Sequence, residues 1–191
     1  MKPHTVHISG GQFKGLRLNV PPQIRATGSK VRQALFNILS PVVDGARVLD
    51  GFAGSGALGL EALSRGARYV AFIDSEPDAV IAIRDNLARM GQEVPPNAWR
   101  VVHAPIDRGL RHLAELEQPF DIILLDPPYQ SREGKKALNT VVECVMLAPA
   151  GIVALEHDQR TMVPSTIGPL RQQKRHRYGD TVLSLYWASV S

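Results

Sequence analysis

Cysteine is almost absent from the chain. Cys144 stands alone among 191 residues, which excludes a disulfide framework and a cysteine-rich metal site; it sits in an apolar helical pattern and reads as core. No apolar run approaches the roughly 20 residues of a membrane span, and the opening MKPHTVHISGG lacks the apolar centre of a secretory signal, so a cytoplasmic protein is expected. Acids are missing altogether from Met1 to Val43, where six basic residues occur: Lys2, Lys14, Arg17, Arg25, Lys30 and Arg32. No internal repeat, low-complexity tract or metal-ligand spacing is found, and no metal is expected.

The net charge is +4 with a pI near 9.5, and its distribution says more than its total. Besides the acid-free start there is a second basic cluster, Arg171, Lys174, Arg175, His176 and Arg177. Such segments concentrate polyanions and supply phosphate contacts, although a solvated basic face is the plainer reading of each alone. The length and 44% hydrophobic content suit one domain with a full-sized core and a small appendage.

The chain reads as strands and helices in alternation. His4 to Ser9 and Leu16 to Val20, separated by Gly10-Gly11, describe a small hairpin that buries little by itself. It defines an N-terminal extension over residues 1–24 that presents Lys14 and Arg17, with the main domain at 25–191. Ser29 is a candidate N-cap for a helix through Val31, Leu35, Ile38 and Leu39, with Arg32 on another face, and Arg25, Thr27 and Lys30 lie at its entrance, where an anion could be held, although an ordinary capped helix reads equally well. Val48-Leu49-Asp50 is a short buried strand, followed by the loop Gly51-Phe52-Ala53-Gly54-Ser55-Gly56 and a helix from Ala57.

Gly54, Gly56 and Gly59 satisfy G-x-G-x-x-G, and Asp74 follows twenty positions after Gly54 at the end of the strand from Tyr69. Alone, that is a dinucleotide fingerprint. Asp50, however, directly precedes the loop, where a carboxylate repels a pyrophosphate and suits a cationic or amine-bearing ligand. Pro77 to Met90 reads as a helix and Arg100-Val101-Val102 as a third strand. In the loop after it, Asp107 either reaches a ligand or caps the next helix.

The apolar run Phe120 to Leu125 delivers Asp126-Pro127-Pro128-Tyr129 to the carboxyl end of a strand, where open α/β sheets keep their ligands. Two prolines fix φ and supply no N–H, so carboxylate, carbonyls and ring form a rigid set of acceptors beside an aromatic plate. That suits the exocyclic amino group of a flat base; a plain turn is the competing reading. Gln130 to Gly134 is polar and reads as a substrate-gating loop. Ala150 to Leu155 forms a fifth strand ending at Glu156-His157, and a histidine so placed is more often a hydrogen-bonding residue than a base. The tail forms two antiparallel strands around Tyr178-Gly179-Asp180.

Asp-x-Phe-x-Gly-x-Gly, an acid ending the second strand and DPPY ending the fourth together resemble methyltransferases that use S-adenosylmethionine on amino groups. With GGQFKGLRL, RATGSKVRQALFNIL, LDGFAGSGALGLEALSRGA and RYGDT added, nearly the whole chain resembles the bacterial RsmD family, which methylates the N2 amino group of a guanine in 16S ribosomal RNA. The resemblance implies a Rossmann-like, seven-stranded class I methyltransferase sheet with the small hairpin extension. It also implies S-adenosylmethionine as cofactor and 16S rRNA within the 30S subunit or its assembly intermediate as partner; a monomer is expected.

Residue by residue, it implies cofactor contacts from Asp50, Phe52, Ala53, Gly54, Ser55, Gly56, Asp74 and Asp126. Chemistry falls to Asp126, Pro127 and Tyr129, and RNA contacts to Lys14, Arg17, Arg25, Thr27, Lys30, Arg32, Pro128 and Tyr129. Where the family reads Arg-Pro-Thr-Thr/Ser-Asp-Arg-Val-Arg, this chain has Arg25-Ala26-Thr27-Gly28-Ser29-Lys30-Val31-Arg32, so proline, second hydroxyl and acid are missing there. A DNA adenine or cytosine amino-methyltransferase, a non-catalytic ribosome-assembly factor and an NAD-dependent dehydrogenase remain as other readings.

Overall fold

A computed structural model describes residues 6–24, 28–128 and 132–188. Its centre is a sheet in the order β5-β4-β3-β6-β7-β10-β9-β8. Five strands run parallel: β3 (Arg47–Gly51), β4 (Tyr69–Asp74), β5 (Trp99–His103), β6 (Phe120–Leu125) and β7 (Leu147–Asp158). The remaining three, β8 (Thr166–Ile167), β9 (Leu170–Tyr178) and β10 (Thr181–Ala188), add on antiparallel. The expected seven strands are present, and β8 is an eighth, two-residue addition at the β9 edge.

The parallel strands carry near-continuous apolar runs because both faces of the sheet are covered. One face packs on α1 (Ser29–Leu39), α2 (Ala57–Ser64) and α3 (Pro77–Met90), with Phe36, Leu60, Phe72 and Ile83 fully buried between them. The other packs on α4 (Ile106–Leu116) and α5 (Glu133–Glu143) through Leu110, Leu113, Leu138 and Ile123. From β3 the chain adds β4 and β5 on one side, then β6 and β7 on the other. The crevice between the carboxyl ends of β3 and β6 is therefore the topological switch point, the place where such sheets hold ligands.

The N-terminal segment does form two short antiparallel strands, β1 (Val6–His7) and β2 (Arg17–Leu18). They are tied to the domain more firmly than an appendage would be. Val6, Ile8 and Leu18 join the main core, and Ser9 N–H and Oγ donate to Glu61 on α2 at 2.8 and 2.7 Å. Glu61 is 0% exposed, and Arg65 Nε also donates to it at 2.8 Å.

Several local expectations change. Ser29 is the first helical residue of α1 rather than its cap, Gly28 holding that position without a side-chain bond. β7 extends well beyond Ala150–Leu155 at both ends. Glu133 and Gly134 belong to α5, not to a loop. Cys144 is half-buried at the end of α5 rather than in the core.

Candidate active site

The loop after β3 is built on three left-handed residues. Phe52, Gly54 and Gly56 take φ of 63, 56 and 79°, and for Phe52 that conformation costs about 1–3 kcal/mol, a strain that folds keep mainly at working sites. A side chain at Gly56 would also press on Ile83, Leu60 and Phe72. The loop is fixed from both sides: Gly54 N–H donates to Asp74 Oδ2 at 2.7 Å, and Ala53 N–H to Ile73 O at 3.0 Å. Asp74 Oδ1 accepts from Glu76 N–H at 2.9 Å.

Phe52, Ala53, Gly54, Ser55 and Asp74 line a cavity of about 590 Å³ that reaches Asp126, Pro127 and Pro128 at the end of β6. Its described lining includes the acids Asp74, Glu76, Asp126 and Glu133 and no Lys, Arg or His. Ile73, Ala79, Ala104, Pro105 and Ile106 add apolar surface to it. A dinucleotide would set two phosphates against those acids with no described cation to receive them, so the dehydrogenase reading loses its physical basis.

A second cavity, of about 700 Å³, lies on the other side of the same wall. Asp126, Pro127 and Pro128 line it as well, together with Leu155, His157, the cations Arg132, Lys135, Lys136 and Arg160, and the acids Glu156 and Asp158. The wall is stiff for reasons visible on both sides. Asp126 N–H faces Gly51 O at 3.4 Å, and Gly134 allows α5 so close that a Cβ there would stand 3.0 Å from Leu155 and 3.1 Å from Pro127.

Asp50 does not line the cofactor-side cavity. It lies beneath the loop, 1% exposed, and its Oδ2 accepts from Gly59 N–H at 2.7 Å. Gly59 is in the first turn of α2, whose amides have no partner within the helix, so Asp50 anchors helix to strand. Burial holds its pKa well above the usual carboxylate range; the Gly59 bond opposes this, and the charges of Asp126 and Asp74 add to it. Direct contact with a ligand is corrected to support from below. Gly56 likewise shapes the turn without lining the cavity.

Arg32 is corrected too. It is 2% exposed, bonds His7 O at 2.7 Å and pairs with Glu61 at 3.5 Å, so its guanidinium is buried and cannot meet a phosphate. Burial lowers its pKa despite Glu61. Lys14, Arg17 and Lys30 are exposed as expected. Arg25, Thr27 and Tyr129 lie outside the described residues. Asp107 does neither of the two things considered for it: Pro105 holds the cap position of α4, and Asp107 Oδ1 accepts from Thr140 Oγ1 on α5 at 2.7 Å.

His157, 7% exposed, has both ring nitrogens engaged. The Asp158 carbonyl at 2.8 Å only accepts, so Nδ1 carries the proton and Nε2 accepts from Ser184 Oγ at 2.9 Å. Burial lowers its pKa, and the charge of Arg175 acts in the same direction, keeping the ring neutral.

Sequence reasoning missed Ser75, Glu76 and Ala104 to Ile106. They follow the ends of β4 and β5, and the rule that ligands lie beyond strand carboxyl ends could have found them. It also missed Gln23 and Ile24, which reach the cofactor-side cavity from the N-terminal segment; that approach is long-range and leaves no local signal. Its hinge is Asn86 on α3, fully buried, which bonds both backbone groups of Asn19, at 2.7 and 2.9 Å, and Ser55 O in the glycine loop at 3.0 Å.

Comparison with known proteins agrees with this architecture. The family model described as conserved hypothetical protein 95 matches residues 6–187. Ribosomal RNA small subunit methyltransferase D of Escherichia coli is 33% identical over 183 residues, covering 95% of this chain and 89% of that protein. YlbH of Bacillus subtilis, named provisionally as an rRNA methyltransferase, is 36% identical over 95% of this chain and 98% of its own. Among solved structures, yhhF from Escherichia coli superposes with a TM-score of 0.84 at 30% identity, covering 96% of this chain and 98% of that one. The central sheet is that of class I methyltransferases.

Proposed function

Since the chain belongs to the family of conserved hypothetical protein 95, we propose that it transfers a methyl group from S-adenosylmethionine to the N2 amino group of a guanine in 16S ribosomal RNA, within the 30S subunit or an assembly intermediate. The observation that carries this reading is the wall Asp126-Pro127-Pro128, which borders one cavity with acids and no described cation and another where Arg132, Lys135, Lys136 and Arg160 stand among the acids Glu156 and Asp158. An acidic cavity fits a cofactor bearing a sulfonium and an amine; a cationic one fits a base on a phosphate backbone. The relatives named as small-subunit methyltransferases supply the RNA class.

When bound, the cofactor supplies a methyl group on a good leaving group. Phe52, Ala53, Gly54 and Ser55 offer close backbone, Asp74 an acceptor for ribose hydroxyls, and the apolar surface near Ile106 a slot for adenine. Asp126 and Pro127 act on the substrate. The guanine amino nitrogen delocalises its lone pair into the ring; hydrogen bonds from its two N–H groups to the Asp126 carboxylate and the Pro127 carbonyl make it more tetrahedral and localise that pair. Asp126 also balances the positive charge that develops on nitrogen and takes up the proton that the methylated amino group releases, and the rigid wall holds the geometry. Tyr129 stacks on the extruded base, a contact worth about 1–3 kcal/mol. Pro128 bounds the same pocket, and Lys14, Arg17, Arg25, Thr27 and Lys30 serve the RNA from the N-terminal side.

The test offers labelled S-adenosylmethionine with naked 16S rRNA, unmethylated 30S particles and duplex DNA, followed by nucleoside mass spectrometry. Label in N2-methylguanosine from RNA or particles is expected. Label in DNA adenine or cytosine, or no transfer by a protein that binds the cofactor, would overturn the assignment.

A further inference from the structure

The cationic cavity continues onto the sheet beside it. Between residues 159 and 188 the chain carries Arg160, Arg171, Lys174, Arg175 and Arg177 against a single acid, Asp180. Strand register shows where two of these lie. Arg175 pairs with Ser184, which pairs with Leu155; Arg177 pairs with Val182, which pairs with His157. Directly paired residues of adjacent strands share a face, and Leu155 and His157 line the cavity. Arg175 and Arg177 therefore stand on the cavity's own face, about 10 Å from its wall at two strand spacings and about 7 Å from each other along β9.

Their charge is uncompensated. Both are exposed, and no ion pair among the described residues involves a β9 side chain. Arg177 Nε donates only to the Gly179 carbonyl at 2.8 Å. Two nearby acids accept from neutral donors: Asp180 from Gln159 Nε2 at 2.7 Å and Asp158 from Arg160 N–H at 2.8 Å. At the cavity mouth, next to Arg160, Met162 is 92% exposed. Two residues on, the Pro164 carbonyl accepts from Tyr186 O–H at 2.9 Å. An apolar side chain held out at that exposure adds nothing to the fold, but it suits the face of an unstacked base, as apolar wedges do in other nucleic-acid complexes.

We propose that this face is the RNA-docking surface. Arg175, Arg177 and Arg160 hold backbone phosphates beside the target nucleotide, and Met162 packs against the base next to the one that enters the cavity. The inference rests on the rRNA-methyltransferase reading and deepens it, placing the phosphate track on the β9 side of the site. Cations on an exposed strand edge also discourage edge-to-edge pairing, so the test must separate that role from RNA binding.

Binding of a 16S rRNA fragment spanning the modified guanine is measured across a salt series for the wild type, the single reversals Arg175→Glu and Arg177→Glu, the double Arg175→Gln/Arg177→Gln, and Arg84→Glu. Arg84 is exposed on α3 at the opposite end of the sheet, so the last variant changes charge equally without touching the face. Each single reversal is expected to weaken binding at least tenfold, and the double to reduce the slope of log K against log salt by about 1.4, two phosphate contacts on a single strand. Arg84→Glu is expected to stay within twofold. Met162→Ala should slow methyl transfer several-fold with an unchanged salt slope. Melting temperature and S-adenosylmethionine affinity should match the wild type in all variants. Wild-type binding by the β9 variants, or equal loss in Arg84→Glu, would overturn the proposal while leaving the enzyme reading intact. Failure of the wild type itself to methylate RNA would instead sink the underlying reading.

Discussion

The two cavities that share the Asp126-Pro127-Pro128 wall differ in what their surfaces are made of. The smaller combines the glycine-loop backbone, apolar side chains and acids, with no described cation; the larger gathers Arg132, Lys135, Lys136 and Arg160 together with the acids Glu156 and Asp158. A carboxylate in the wall thus sits between a cavity suited to positive charge and one that also offers cations. The contrast teaches that neither cavity is a generic nucleotide site. A phosphate-bearing cofactor would find no described cation in the first, whereas the second offers four.

The largest expected effect comes from removing the shared element. Asp126→Ala should lower methyl transfer by about 10²–10³-fold, the scale of losing one preorganised electrostatic group, while cofactor affinity shifts only a few-fold. Single-turnover transfer and calorimetry on the same preparation separate the two, and an equal loss in both would place Asp126 wholly on the cofactor side. Asp74→Ala should act on one cavity alone. It removes the acceptor of Gly54 N–H and Glu76 N–H, and at about 1.5–3 kcal/mol for a charged hydrogen bond the cofactor should bind about 10–100-fold more weakly. RNA affinity should be unchanged; an RNA defect of similar size would mean that the cavities are not separable.

Asn86→Ala tests whether the N-terminal segment belongs to the smaller cavity. The substitution unties Asn19 from Ser55 and leaves buried backbone groups unpaired, at about 1–3 kcal/mol. A melting temperature lower by about 2–10 °C should follow, with cofactor binding weakened further than folding alone accounts for. If binding per folded molecule is untouched, Gln23 and Ile24 are bystanders.

The smallest effect is a matter of pH. Asp50 holds its proton more tightly in the folded state than in the unfolded one. Its favourable contribution is therefore present below the usual carboxylate pKa and is lost as pH rises from there toward the raised folded value. Asp50→Asn keeps an acceptor for Gly59 N–H and should flatten that decline in denaturant unfolding across a pH series. A slope identical to the wild type would mean that Asp50 ionises freely in the folded protein.

Much of the fold was legible because its signals are local. Apolar runs bounded by turns marked β3, β4 and β6, helical spacing from Pro77 to Met90 marked α3, and the alternation of Thr181 to Trp187 about a glycine turn marked β10. The candidate site was legible where strand ends meet special residues, at the glycine loop and at Asp126-Pro127-Pro128. Arg32 misled because a cation near a helix start looks exposed in sequence; only Glu61, twenty-nine positions away, shows that it is buried. Asp50 misled in a similar way, since proximity to the loop in sequence says nothing of which side of the loop the carboxylate occupies.

The sequence by itself determined the alternation of elements, the strain-bearing glycine loop, the rigid diproline wall and the excess of positive charge, since each follows from what a few neighbouring residues can do with their own backbone and side chains. Tertiary structure alone decided that Gln23 and Ile24 close the cofactor-side cavity, that Asp50 supports rather than lines it, and that Arg175 and Arg177 share a face with Leu155 and His157. Those facts depend on strand register and on packing between segments far apart in the chain, and no local pattern encodes which distant residue will fill a given space.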